Sequence, residues 1–277
     1  VAEVRVVKDV AYIRHGDREL CLDLYRPETD DTVAAVAYFH GGAWRIGDKA
    51  DHAETRLRGL CAHGVAVASA NYRFVDEATF PAQVEDAKDV IRWIRNHGAE
   101  YALATEQIGV WGASAGAYIA SMVGLTAGVT DLRNPVPTRS AVDPSRVSAV
   151  VCWFGPADLV LAERRSELER SVLRPSSVSA MLGLGAVSDD IEFARRASPL
   201  SFVTPSAPPF LIAHGDQDRL VPPSQSVRLH DALIAAGVPS TLQLIGGAGH
   251  EGSEFDTPEH IAMTAAFFAS SLSHRPR

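Results

Sequence analysis

Gln107-Ile108-Gly109-Val110-Trp111-Gly112-Ala113-Ser114-Ala115-Gly116-Ala117-Tyr118-Ile119-Ala120-Ser121-Met122-Val123 is the stretch that organises the reading of the whole chain. Residues 107–111 have the short apolar character of a buried strand, and Tyr118 onward reads as the start of a helix. Between them stands Gly-x-Ser-x-Gly. In a strand–turn–helix setting, this pattern is the sharp turn that pushes a serine hydroxyl into a cleft. Side chains at positions 112 and 116 would collide with the neighbouring strand and helix, so the turn calls for glycine. Ser114 is therefore the candidate nucleophile.

Working outward, the flanking sequence alternates strand and helix. Residues 4–13 and 20–25 are β-rich and separated by the turn His15-Gly16-Asp17, which predicts an antiparallel hairpin. Continuous apolar runs over 33–39, 65–70, 147–154, 210–214 and 241–245 suit strands buried on both faces. Helical periodicity covers 51–63, ending at Gly64. It also covers a segment opened by Pro81 that closes near Gly98, then 224–236 ending at Gly237, and 258–272. This order predicts an α/β fold with a mostly parallel twisted sheet of about eight strands and helices on both faces. Residues 1–277 read as a single domain. Residues 156–209 break the alternation with short helical pieces and no strand, so a small helical cap or lid insertion is expected there. Its apolar residues Leu182, Leu184 and Phe193 are read as packing the insertion down rather than roofing a pocket. A second segment, 125–144, carries Pro135, Pro137 and Pro144 and reads as a loop over one side of the sheet.

Composition limits the function classes. The chain has 277 residues, 46% of them hydrophobic and 22% charged, with a net charge of −8. Such a balance opposes nucleic acid or an anionic membrane as partner. The arginine pairs Arg164-Arg165 and Arg195-Arg196 are broken by nearby acidic residues and read as solvated faces. No apolar run reaches the ~18 residues of a membrane span. The first residues are charged early and lack a signal-peptide core, although the chain opens on Val1 and leaves room for a removed upstream segment. Cys21, Cys61 and Cys152 are scattered without a Cys-x-x-Cys pair, which fits structural thiols in a reducing, cytoplasmic setting. Neither metal-ligand spacing nor a phosphate-cradling glycine motif is found, so no cofactor and no metal are expected. A homo-oligomer is left open.

A serine hydroxyl needs a base, and in strand–helix order Ser…Asp…His the base follows the last strand. His250, in Gly246-Gly247-Ala248-Gly249-His250, has that place. His260 and His274 lie on or beyond the final helix, and His52, His63 and His97 are expected on helices facing solvent. The carboxylate that orients the base belongs in His214-Gly215-Asp216-Gln217-Asp218. Asp218, deeper in the loop, is favoured, with Asp216 holding the loop by backbone hydrogen bonds. Oxyanion donors are expected from the backbone of Ala115 and from Gly42 and Ala43 in His40-Gly41-Gly42-Ala43-Trp44. His40 is read as a brace for that loop, and Trp44 either lines the pocket or packs beneath it.

Taken with Asn71-Tyr72-Arg73 and Phe154-Gly155-Pro156-Ala157-Asp158, these segments resemble the α/β-hydrolase esterases and lipases related to hormone-sensitive lipase. The resemblance is strongest to the bacterial dienelactone-hydrolase-like and feruloyl-esterase-like branch. It implies a Ser114, Asp218, His250 triad with Gly42, Ala43 and Ala115 at the oxyanion hole. Ala43-Trp44 replaces the third glycine of the triple-glycine form, a variant resembling kynurenine formamidases and feruloyl-esterase-like enzymes rather than hydrolases of tertiary-alcohol esters. Glu251-Gly252 also stands where Gly-Phe is frequent, placing a carboxylate beside the expected base, where it would favour the charged imidazole or disfavour anionic substrates. The leading expectation is a serine carboxylesterase acting on a small-molecule ester. An arylformamidase with the same triad and a catalytically dead binding homologue are the alternatives.

Overall fold

The computed structural model describes residues 3–133, 143–163 and 175–273. Pro135, Pro137, Arg164, Arg165 and His274 lie outside them. The strands are β1 Val4–His15, β2 Arg18–Pro27, β3 Val33–Phe39, β4 Val65–Ala70, β5 Leu103–Ala113, β6 Ala149–Trp153, β7 Phe210–Gly215 and β8 Ser240–Ile245. They form one eight-stranded sheet in the order β1-β2-β4-β3-β5-β6-β7-β8. β1 and β2 are an antiparallel hairpin turned at Gly16, β2 runs antiparallel to β4, and every later pairing is parallel.

Alternation along the strands builds two cores. Ala35, Ala37 and Phe39 of β3, with Val150 and Cys152 of β6, face the layer containing Val84, Ile91 and Ile119. Val36 and Tyr38, with Val151 and Trp153, face the opposite layer containing Leu60, Ile261 and Phe268. The period of two thus puts successive side chains into separate helix layers, which explains why the strands read as continuous apolar runs. Helices Ala82–His97, Ala115–Leu125 and Ser224–Ala235 supply the first layer, and Pro258–Leu272 dominates the second.

Two local expectations need correction. β5 starts at Leu103, four residues before the apolar run: Leu103 pairs with Val33, and residues 104–107 form a register irregularity before Ile108 pairs with Ala35. Residues 51–63 do not form one regular helix. A five-residue π turn, Ala53–Leu57, leads into Arg58–Cys61, and His52 before it is left-handed with φ of 57°. The wider turn carries the fully buried Arg56 inward.

Within the described part of 156–209 there is no strand. Short helices Leu159–Ala162, Ser177–Leu182 and Ile191–Arg196 lie against the body, with Leu182 and Phe193 buried and Leu184 half-buried against the same core. Phe80 N–H donates to Met181 O at 2.7 Å, and Tyr118 O–H donates to Ala197 O at 2.9 Å, tying the insertion to the sheet-covering helices. Among the described residues, no helix is long and apolar enough to cross a membrane.

Candidate active site

The turn at Ser114 is as tight as its sequence demands. Ser114 has φ of 54° and ψ of −116°, a strained combination for a residue with a side chain. A Cβ at Gly116 would lie 1.9 Å from Phe39 O of β3, and one at Gly112 would lie 2.1 Å from Gly116 O in the helix. Both flanking positions therefore exclude any side chain. Ser114 N–H donates to Trp153 O at 2.9 Å, anchoring the turn to β6.

Two loops bring partners to the hydroxyl. The His250 loop follows β8, and His250 Nε2 lies 2.9 Å from Ser114 Oγ. On the other side of the ring, His250 Nδ1 lies 2.6 Å from Asp218 Oδ2, in the loop after β7. A carboxylate can only accept, so Nδ1 carries the proton and Nε2 is left as an acceptor facing Ser114 Oγ. The imidazole edge also packs on Phe154, with ring centroids 4.9 Å apart.

Asp218 is itself rigidly held. Its Oδ1 accepts the N–H groups of Leu220 and Val221 at 2.8 and 2.9 Å, and its Oδ2 also receives His214 Nε2 at 3.1 Å. Burial opposes ionisation of this carboxyl. The hydrogen bonds from His214, His250 and the Val221 backbone outweigh it and hold the group well below the usual carboxylate range. Asp216 instead accepts Gly247 N–H at 2.8 Å, tying together the loops after β7 and β8 as expected of the loop-holding aspartate. His214 is a participant that sequence reading passed over. Completely buried, it joins Asp218 to Ser226 Oγ, 2.6 Å from its Nδ1.

The loop after β3 carries Gly42, Ala43 and Trp44, all with positive φ, of 109°, 56° and 58°. Arg45 and Ile46 N–H groups close it by donating to Gly42 O at 3.0 and 3.2 Å. Among the described residues, the N–H groups of Gly42, Ala43 and Ala115 donate to no protein acceptor. Trp44 is buried and sits edge-on to Tyr118 at 5.4 Å. His40 braces the loop, with Nδ1 2.6 Å from Gly41 O and the ring stacked on Tyr72 at 4.6 Å. Burial lowers the His40 pKa against the opposing Gly41 hydrogen bond.

His52, expected to face solvent, lies instead between Glu251 and Asp256, its Nε2 and Nδ1 3.3 and 3.2 Å from their oxygens. Long-range pairing with the His250 loop overrides the local pattern. His63 is exposed, and His97 pairs with Glu100 at 3.0 Å.

The relay gathers at the carboxyl ends of the parallel strands, where open α/β sheets place their ligands. A groove of about 910 Å³ lined by Glu106, Arg146, Pro208 and Ser270 opens at the opposite strand ends and touches none of these groups.

Sheet order, turn and loops together define an α/β-hydrolase. Residues 22–233 match the BD-FAE family, and the chain belongs to it. It is 33% identical over 230 residues to Esterase LipQ of Mycobacterium tuberculosis, spanning 80% of this chain and 51% of that protein. Esterase LipC of the same organism is 31% identical, over 83% of this chain and 56% of its own length. The chain therefore spans about half the length of these curated relatives. Among solved structures, a truncated carbohydrate esterase from gut microbiota superposes with a TM-score of 0.84 at 28% identity, covering 98% of this chain and 97% of that one.

Proposed function

We propose that this chain is a serine carboxylesterase acting on small or aryl esters, with Ser114 as nucleophile, His250 as general base and Asp218 as the orienting carboxylate. The observation that carries the reading is the continuous contact from Asp218 Oδ2 to His250 Nδ1 at 2.6 Å and from His250 Nε2 to Ser114 Oγ at 2.9 Å. His250 takes the Ser114 proton as Oγ attacks the ester carbonyl carbon. The N–H groups of Gly42, Ala43 and Ala115 receive the negative charge that develops on the carbonyl oxygen. Collapse releases the alcohol, protonated by His250, and leaves an acyl-Ser114. Water then attacks by the same route and releases the acid.

Residues 1–277 are read as one domain in which 156–209 caps the site, supported by the insertion's hydrogen bonds to the body. A cytoplasmic setting accords with the three free cysteines. The names of the relatives, esterases and a carbohydrate esterase, support ester rather than amide chemistry.

The test is a panel of short p-nitrophenyl, feruloyl, lactone and formamide substrates assayed on the purified chain and on Ser114→Ala. Ester turnover that disappears in Ser114→Ala, with fluorophosphonate labelling confined to Ser114, supports the proposal. Turnover confined to N-formylkynurenine replaces it with the formamidase reading, and Ser114→Ala activity well above background removes it.

A further inference from the structure

Beside the relay stands a second set of charges that the ester chemistry above does not use. Glu251 follows His250 directly and has φ of 57°, a left-handed conformation that needs external support in a residue with a side chain. The support is ionic. Glu251 Oε1 accepts Arg56 Nη1 at 3.3 Å and lies 3.3 Å from His52 Nε2. Arg56 Nε donates to Asp256 Oδ1 at 2.6 Å, and His52 Nδ1 lies 3.2 Å from Asp256 Oδ2. Both nitrogens of His52 thus face groups that can only accept, which requires the doubly protonated ring. Hydrogen bonds to Asp256 and Glu251 accordingly raise its pKa to about 9 against burial.

Arg56 is fully buried, with Tyr38 Oη 3.2 Å from Nη1 and the Trp153 ring 5.3 Å from Cζ. Two carboxylates and two cations therefore balance in a partly dry setting. The cluster also reaches the nucleophile. A Cβ placed on Gly41 would stand 3.4 Å from Ser114 Cβ and 3.6 Å from Glu251 Oε1, so one absent methyl group separates carboxylate from serine.

We infer that Glu251 and His52 are positioning residues for His250. As members of a charge-balanced cluster, they hold the backbone of the base against the 52–56 turn and keep the added charge beside its imidazole near zero. This rests on reading His250 as the base. The groups facing His250 are Ser114, Asp218 and the Phe154 ring, with His214 behind Asp218. Those facing the cluster are Tyr38 on Arg56 and Thr55 on Asp256. Asp218 therefore remains the carboxylate in direct contact with the imidazolium formed during turnover. An unbalanced Glu251 would add a second anion nearby, and an unbalanced His52 or Arg56 would oppose the imidazolium.

The sign of each perturbation follows. Glu251→Gln leaves the cluster one positive charge in excess, and His52→Gln leaves it one negative charge in excess. In kcat/KM–pH profiles for p-nitrophenyl acetate, Glu251→Gln moves the acid limb to lower pH by about 0.5–1 pH unit, and His52→Gln moves it to higher pH by a similar amount. The double variant returns close to wild type. A purely structural role would lower kcat in both single variants without opposite displacements. Limbs that stay put, or that move the same way, overturn the inference while the wild-type enzyme remains active and labelled at Ser114. Activity surviving in Ser114→Ala would instead overturn the esterase reading. Should either variant fail to fold, the ring resonances of the wild-type chain carry the test. His250 resonances that shift as His52 titrates near pH 9 support the inference, and His250 resonances unmoved by that titration, or His52 titrating near the ordinary 6.5, refute it.

Discussion

Asp218→Asn tests the relay at its most constrained point. The amide oxygen can take over the role of Oδ1 toward the Leu220 and Val221 N–H groups, at 2.8 and 2.9 Å in the native loop, so the loop has no reason to move. The NH2 group then occupies the place of Oδ2, facing His250 Nδ1 at 2.6 Å. Two donors cannot face each other, so Nδ1 loses its proton and becomes the acceptor. The proton moves to Nε2, 2.9 Å from Ser114 Oγ, where a base is required. The wrong tautomer lowers kcat by roughly 10⁴ in this arrangement, about 5 kcal/mol of barrier. His214 keeps its second acceptor, Val221 O at 2.8 Å, which limits the loss of stability. The assay is p-nitrophenyl acetate turnover and the rate of fluorophosphonate labelling, with thermal melting as the control for folding. Asp216→Asn is the companion, expected to keep kcat within about tenfold because, among the described residues, its carboxylate accepts Gly247 N–H and has no contact with His250. The reasoning is refuted if Asp218→Asn retains a tenth of native kcat while folded, or if Asp216→Asn falls as steeply.

Gly42→Ala places a Cβ 2.0 Å from Ile46 O at a φ of 109°, so the loop after β3 must shift; kcat should fall by about 10²–10³, and a wild-type rate would argue against Gly42 as an oxyanion donor. Tyr118→Phe strands the buried Ala197 carbonyl and should cost about 1–2 kcal/mol in a denaturant melt. The His52 pKa, raised from 6.5 to about 9 in the folded chain, contributes stability fully present below pH 6.5 and lost as pH rises through 9. With His52 about one-third exposed, screening reduces that contribution to about 1–2 kcal/mol. Melting temperature measured between pH 6 and 10 should decline over that window, and His52→Gln should flatten the decline.

The sheet and the meeting of Ser114, Asp218 and His250 were legible because their signals are local or ordinal. Buried parallel strands read as apolar runs, the serine turn carries its own glycines, and Asp218 and His250 follow from where loops fall after β7 and β8. Asp218, deeper in its loop than Asp216, is the aspartate that contacts His250. What escaped was long-range and ionic. His52 contacts Asp256 across 204 residues, and Arg56 contacts Glu251 across 195. In sequence, Asp51 to His63 shows the charges of an exposed helix. Only the π turn and the docking of the His250 loop convert those charges into a partly buried cluster. His214 was hidden differently: as the last inward residue of an apolar strand, it resembles core, and its role appears once Ser226 and Asp218 close around it. Trp44 remained ambiguous because pocket lining and packing make the same demand for a large apolar side chain.

The site's dispersal over separate crossovers also bears on chain synthesis. The hydroxyl and the imidazole that activates it on the proposed reading lie 136 residues apart, on loops after β5 and β8. A growing chain thus exposes Ser114 as an ordinary alcohol long before any base can reach it. On that reading the hydroxyl becomes reactive only when the last strand seats beside β7, at the far edge of the sheet. A nascent or misregistered chain is therefore chemically silent, and covalent capture of Ser114 would report arrival at the finished topology.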